Sequence, residues 1–264
     1  MIENFDLNIS RRGSTMKPYN KNFVFQEMKL YNKLISSGTC GNYRITKNII
    51  KKQNLQGYMY ENKEEYDIDI IQLYKNNVNL MQLTPKEIES SYGVIHFANG
   101  KVGVVGLGIG YVVQEIAKRC NVQEVIVYET SEEVIKLYNQ NFEPNEKIKI
   151  LKEDAFKARP NKFDFFYVDI YKHELNSKVV EDYKFFNKLH EIEDYAFWGI
   201  EHFLLSCKYE DIVWVYIPED WIAMSKKAYE SFDSSGYIKE YKPLDEVLVK
   251  RILMEFKEIL NADD

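Results

Sequence analysis

Cysteine is scarce in this chain: Cys40, Cys120 and Cys207 are odd in number and far apart in the sequence. Such a set supports neither a disulfide framework nor a thiolate metal site, and it fits a reducing cytoplasm. No stretch approaches the ~20 consecutive apolar residues that cross a bilayer. The N-terminus lacks the apolar core of a signal peptide, so a soluble, cytoplasmic protein with no membrane partner is expected. Among the four histidines, His96, His190 and His202 show no metal-ligand spacing. No Ser-His-Asp order, Walker loop or zinc pattern is present, and no internal repeat or low-complexity stretch. These absences leave a metal-free, intracellular globular protein as the expectation.

What is present is a chain of 264 residues, enough to bury a full core. Aromatic residues are abundant, with 20 Tyr, 15 Phe and 3 Trp. The net charge of −6 is unevenly spread: residues 1–52 carry +7, which leaves −13 for the remainder. A basic segment of this kind can serve as a nucleic-acid arm, or as a solvated tail docked on its own acidic domain. The basic residues are scattered and not interleaved with aromatics. A small-molecule partner is therefore favoured over nucleic acid.

Residues 101–110, Lys-Val-Gly-Val-Val-Gly-Leu-Gly-Ile-Gly, are a short apolar strand running into three glycines at alternate positions. A dinucleotide fingerprint is Gly-x-Gly-x-x-Gly. Here the pattern is Gly106-x-Gly108-x-Gly110, and Tyr111 stands where the third dinucleotide glycine belongs. Val112, Val113, Ile116 and Ala117 then recur at helical spacing. Glu124 to Tyr128 reads as a strand of the buried, parallel kind, with Glu129 at its carboxyl end. Thr130 is expected to start a helix, with Glu133 completing a capping box. Lys147 to Leu151 is a third strand, followed by Asp154 and Ala155, and Phe163 to Asp169 is a fourth. Acids at successive strand ends lie where ligands bind in open α/β sheets. Glu129 suits ribose hydroxyls and Asp154 an adenine amino group, while the glycines let backbone approach a ligand closely.

On these motifs, residues 80–171, about a third of the chain, resemble class I S-adenosylmethionine-dependent methyltransferases of the spermidine-synthase-like branch. The resemblance implies an α/β fold: a Rossmann-like sheet with helices on both faces, plus a small N-terminal β-rich appendage. It implies S-adenosylmethionine as cofactor, held by Gln82, Gly106, Leu107, Gly108, Gly110, Glu129, Thr130, Asp154, Ala155 and Asp169. Gln82 to Glu87, followed by Tyr92 and His96, is similar to the segment that precedes the glycine turn in aminopropyltransferases. Phe163 to Tyr171, with Trp198, also resembles unassigned methyltransferase-like proteins of bacteriophages. Two features depart from the patterns. The aminopropyltransferase Asp-x-x-Asp becomes Asp169-Ile-Tyr171-Lys172, and the Pro-Pro of base-directed amino-methyltransferases is missing. The implied activity is methyl transfer to an unidentified acceptor, with aminopropyl transfer from the decarboxylated cofactor, or binding without turnover, as alternatives. Asp169, Tyr171 and His173 are the candidate catalytic residues, Asp169 serving equally for positioning.

The expected organisation is a mobile basic segment at 1–20, a helix and antiparallel β appendage at 21–83, and the cofactor domain at 84–264. Phe23 to Ile35 reads as a helix. Strands are expected at Tyr43–Thr46, Gln56–Tyr60, Tyr66–Ile70 and Val78–Leu83, with a hairpin turn at Asn76-Asn77. Beyond a helix at 176–190, Glu191, Glu193 and Asp194 read as a solvated helix face. Asp211 to Ile217 reads as the fifth parallel strand, 221–232 as a helix, and 236–242 as a further strand if the sheet is not shortened there. An apolar stripe from Leu244 to Leu260 marks a terminal helix packed on the core, with a homodimer contact as the alternative.

Overall fold

The computed structural model describes residues 21–55, 57–59, 65–171 and 175–262. The expected mobile segment at 1–20 lies outside them. Helix α1 (Lys21–Leu34) buries Val24, Met28 and Tyr31, with Ile35 just beyond, along one stripe. Strands β1 (Gly38–Cys40), β2 (Tyr43–Asn54), β3 (Glu65–Lys75) and β4 (Val78–Gln82) form an antiparallel sheet in sequence order. Asn76 and Asn77 join β3 to β4 with φ of 52° and 75°. Asparagine tolerates this left-handed region, and two such residues in a row make the turn that matches strand twist. Residues 57–59 are not a strand, as had been expected of Gln56–Tyr60. Their backbone is drawn aside because the buried Glu89 carboxylate accepts the Tyr58 and Met59 N–H groups, at 2.5 and 2.9 Å.

The second sheet is fully parallel, in the order β7-β6-β5-β8-β9. Its strands are β5 (Gly100–Val105), β6 (Val122–Glu129), β7 (Ile148–Lys152), β8 (Lys162–Val168) and β9 (Glu191–Phe197). Helices α2 (Pro85–Phe97), α3 (Tyr111–Ala117), α4 (Glu132–Asn139) and α5 (Lys178–Leu189) precede or link them. The order, with β5 feeding β6 on one side and β8 on the other, is that of a doubly wound Rossmann-like sheet. Phe163, Phe165, Phe166, Tyr167 and Val168 of β8 are fully buried. A strand covered on both faces loses its alternation, which is why it reads as a continuous apolar run. Each buried phenylalanine contributes roughly 2–3 kcal/mol of apolar burial.

Three expectations are corrected. Helix α4 is capped by Ser131, one residue after Thr130. The Ser131 hydroxyl accepts the Val134 N–H at 3.2 Å and donates to Glu133 at 2.9 Å. Glu191, Glu193 and Asp194 lie in β9, not on a helix. That strand is held parallel to β8 by its buried end, Tyr195, Ala196 and Phe197. With the place beside β8 taken, residues 211–217 do not form the fifth strand. Residues 211–215 fall in helix α7 (Tyr209–Val215), which follows α6 (Ile200–Ser206) and is capped by Tyr216 in the left-handed conformation. Val213, Trp214 and Tyr216 are exposed, whereas a strand inside the sheet would have buried them.

Helix α8 (Glu219–Ser235) runs longer than expected, and Tyr237–Lys239 is a 3-10 turn where a strand had been considered. Among the described residues the sheet is therefore shortened to five strands. Helix α9 (Glu246–Leu260) buries Val249, Ile252, Leu253 and Phe256, while Val247 faces outward. One core cluster runs through both sheets, and the small sheet packs on α4. No helix of the described residues is long and apolar enough to cross a membrane.

Candidate functional site

The glycine loop leaves β5 at the point where the chain turns to opposite sides of the sheet, and its three glycines all adopt positive φ. The values are 99° at Gly106, 53° at Gly108 and 86° at Gly110. The space is as restrictive as the backbone. A Cβ on Gly106 would lie 2.7 Å from the Asp169 carbonyl oxygen, and one on Gly110 2.6 Å from the Tyr138 ring. On Gly108 it would collide with the Met81 sulfur. Only glycine meets both demands. Tyr111, buried against Tyr31 with ring centroids 4.8 Å apart, fills the space that a third dinucleotide glycine would leave open.

Two strand ends converge on this loop. The Gly106 N–H donates to the Tyr128 carbonyl at 3.0 Å, and the Asp169 N–H to the Val105 carbonyl at 3.0 Å. Each extends a parallel ladder by one residue, which places Glu129 and Asp169 on either side of the loop. The Glu129 carboxylate accepts the Leu107 N–H at 3.2 Å and the Ser131 N–H at 2.8 Å. Thr130 Oγ lies 3.5 Å from the same carboxylate.

A cavity of about 270 Å³ opens over the loop, lined by Gly106, Leu107, Gly108, Glu129, Tyr167 and Asp169, with Glu87 at its wall. The N-terminal sheet roofs it, contributing Tyr43, Leu73, Leu80 and Met81 to the lining. The Met81 sulfur accepts the Ile109 N–H at 3.2 Å.

The floor is acidic. Burial holds the Glu87 carboxyl well above the usual carboxylate range, the negative charge of Asp169 pushes it further, and Lys86 opposes them. Burial likewise raises Asp169, to about 6, against a lowering influence from the Tyr167 hydroxyl. That hydroxyl is fully buried beside the Asp169 carboxyl. Neither Glu87 nor Tyr167 was singled out from the sequence. Thr84-x-x-Glu87 has the spacing of a capping box, which disguises Glu87 as a helix-start acid. Thr84 caps the helix without any side-chain bond, and Glu87 lines the cavity.

The structure brings Gly106, Leu107, Gly108, Glu129 and Asp169 together around the cavity, and the other expected residues among those described stand outside its lining. Gly110 shapes the loop from behind. Asp154 sits one strand further out, 38% exposed, and caps a short 3-10 turn (Ala155–Lys157) by accepting the Phe156 N–H at 3.1 Å. Ala155 is buried beside it. Gln82 is exposed at the end of β4 and lines a second cavity of about 240 Å³ that shares Leu80, Met81 and Glu87 with the first.

Tyr171 turns into the core, where its hydroxyl donates to Asp182 at 3.0 Å and burial raises its pKa above the ordinary phenol value. A phenol so held is not facing the cavity. His173 and Lys172 lie outside the described residues.

No family model and no curated protein matches the chain. Among solved structures, a spermidine synthase from Thermotoga maritima is similar over 60% of this chain and 52% of its own, at 18% identity and a TM-score of 0.37. A 23S rRNA methyltransferase is similar over 37% of this chain and 38% of its own, at 20% identity and a TM-score of 0.31. A ribosomal protein L11 methylase from Lactobacillus delbrueckii subsp. bulgaricus is similar over 40% of this chain and 54% of its own, at 15% identity and a TM-score of 0.32. The chain thus spans about two fifths to about half the length of these structures. The Rossmann-like assignment rests on strand order and direction, which this chain displays by itself.

Proposed function

We propose that the cavity over the glycine loop binds S-adenosylmethionine and that the protein transfers its methyl group to a small-molecule acceptor. The observation that carries this reading is the join between Glu129 and the loop. A carboxylate at the end of the second parallel strand is tied to the backbone of a turn whose glycines leave no room for side chains. Glu129 would accept hydrogen bonds from the ribose hydroxyls. Gly106, Leu107 and Gly108 would pass beneath the ribose and methionine portions, and Asp154, further along the same sheet edge, would meet the adenine. The cofactor would supply a methyl group on a sulfonium, already carrying a good leaving group.

The protein's own contribution is alignment, which can supply several kcal/mol. Asp169 stands where an acceptor nitrogen or oxygen would approach, and its carboxylate can take the proton that the acceptor loses. A second reading, aminopropyl transfer from the decarboxylated cofactor, is favoured by one observation: two buried carboxyls, Glu87 and Asp169, face the same cavity and suit a cationic acceptor.

Calorimetric titration with S-adenosylmethionine, its decarboxylated form, S-adenosylhomocysteine and NAD tests these readings together. Micromolar binding of the first and third supports the methyltransferase. Preference for the decarboxylated form supports aminopropyl transfer, and failure of all the adenosyl ligands overturns both.

A further inference from the structure

The second cavity shares Leu80, Met81 and Glu87 with the first, so whatever fills it lies next to the proposed cofactor site. Its lining includes charged residues of opposite sign. One charged lining residue is Glu87, whose carboxyl also feels the charge of Asp169 in the first cavity. The other is the half-buried Lys86, whose ammonium lies 5.5 Å from the Tyr58 ring centroid and 5.7 Å from that of Trp198. Such rings attract an ammonium without neutralising it. No carboxylate lies within ion-pair distance of Lys86 among the described residues, and its chain neighbour Glu87 faces the cavities instead. The buried Tyr167 hydroxyl lies beside Asp169 in the first cavity.

We infer that this second cavity is the acceptor subsite, and that the acceptor is a small zwitterion: an amine directed at Glu87 and Asp169, and an anionic group, carboxylate or phosphate, at Lys86. The inference rests on the first cavity being the S-adenosylmethionine site and names the substrate class of that site. Two adjacent buried carboxyls repel one another when ionised, and an ammonium between them relieves both their mutual repulsion and their desolvation. On passing its proton to the pair, the ammonium becomes a neutral amine with a free lone pair, the N–H bond being exchanged for an O–H bond on a carboxylate. A diamine meets the acids equally well but places its second charge against Lys86. A dicarboxylate meets Lys86 and is repelled by the acids. Only the mixed charge pattern satisfies both Lys86 and the acids.

The test uses the full-length protein and reads binding, not turnover. S-adenosylhomocysteine is titrated first. The saturated complex is then titrated with ω-aminocarboxylates of two to six carbons, with ω-aminoalkyl phosphates, and with diamines and dicarboxylates of matched length. The expected result is at least tenfold tighter binding of one aminocarboxylate or aminophosphate than of its matched diamine and dicarboxylate, and the favoured series identifies the anionic group. Lys86→Gln should abolish the preference over the diamine, and Glu87→Gln the preference over the dicarboxylate. Should Glu87→Gln fail to fold, Lys86→Gln decides alone. A complex that binds S-adenosylhomocysteine but prefers the diamine, or takes none of the zwitterions, overturns the inference and leaves the cofactor reading standing. A preference that Lys86→Gln leaves intact also overturns it. Failure of S-adenosylhomocysteine itself removes both.

Discussion

Glu129 and Leu107 are joined across two strands: the carboxylate at the end of β6 accepts the Leu107 backbone N–H at 3.2 Å. One side chain thereby holds the glycine loop and faces the cavity that the loop encloses. Hydrogen bonds to a charged group are worth about 1.5–3 kcal/mol each. Replacing Glu129 by Ala should therefore weaken S-adenosylhomocysteine binding about tenfold or more, measured by calorimetry. An affinity equal to that of the unaltered protein would remove the ribose role from this residue.

The glycine loop can be tested against a glycine elsewhere with the same backbone and no crowding. Gly110 has φ of 86°, and a methyl group added there would meet the Tyr138 ring at 2.6 Å, whereas Gly236 has φ of 77° and nothing within 4 Å. Left-handed backbone alone costs a non-glycine residue about 1–2 kcal/mol. Gly236→Ala should lose about that much in urea denaturation, and Gly110→Ala at least ~1 kcal/mol more. Equal losses would mean that Tyr138 moves aside freely.

Asp169 makes stability depend on pH. Its folded-state pKa of about 6 lies above the ordinary aspartate value of about 3.9. Between those values the folded protein binds more protons than the unfolded chain, so stability falls as pH rises through the window. Thermal melts from pH 4 to 7 should show that fall, and Asp169→Asn, which cannot ionise, should make it shallower, with the buried Glu87 carboxyl supplying the remainder. A variant with an undiminished slope would place the titration elsewhere.

Tyr171 is expected to matter for stability and not for the ligand. Its hydroxyl serves the buried Asp182, which also meets Lys178 at 3.2 Å. Tyr171→Phe should cost about 1–2 kcal/mol by leaving Asp182 short of a donor, with S-adenosylhomocysteine affinity unchanged. A marked loss of affinity at unaltered stability would return Tyr171 to the site.

Much of the architecture was legible because the parallel strands are covered on both faces. Burial of that kind turns β6 and β8 into apolar runs that need no knowledge of their neighbours. Alternate glycines followed by an acid at the next strand end are similarly local, and the loop, Glu129 and Asp169 are found at one cavity. The apolar run at 211–217 carried the same local signal and became a helix. Which segment enters the sheet beside β8 depends on what else can pair there, and the less apolar 191–197 takes the place with a buried second half.

Local pattern by itself determined the glycine turn, the strands that lead into it and the acids at their ends, since each is specified by backbone conformation or burial over a few residues. The tertiary structure alone decided which polar groups share a cavity. Glu87 is a capping-box acid by spacing and becomes a cavity carboxyl because the N-terminal sheet roofs the start of α2 and excludes water from it. Tyr171 is a loop residue by position and becomes a core hydroxyl because α5 brings Asp182 to it. Desolvation and charge pairing are set by what packs from elsewhere in the chain, and no local sequence pattern carries that information.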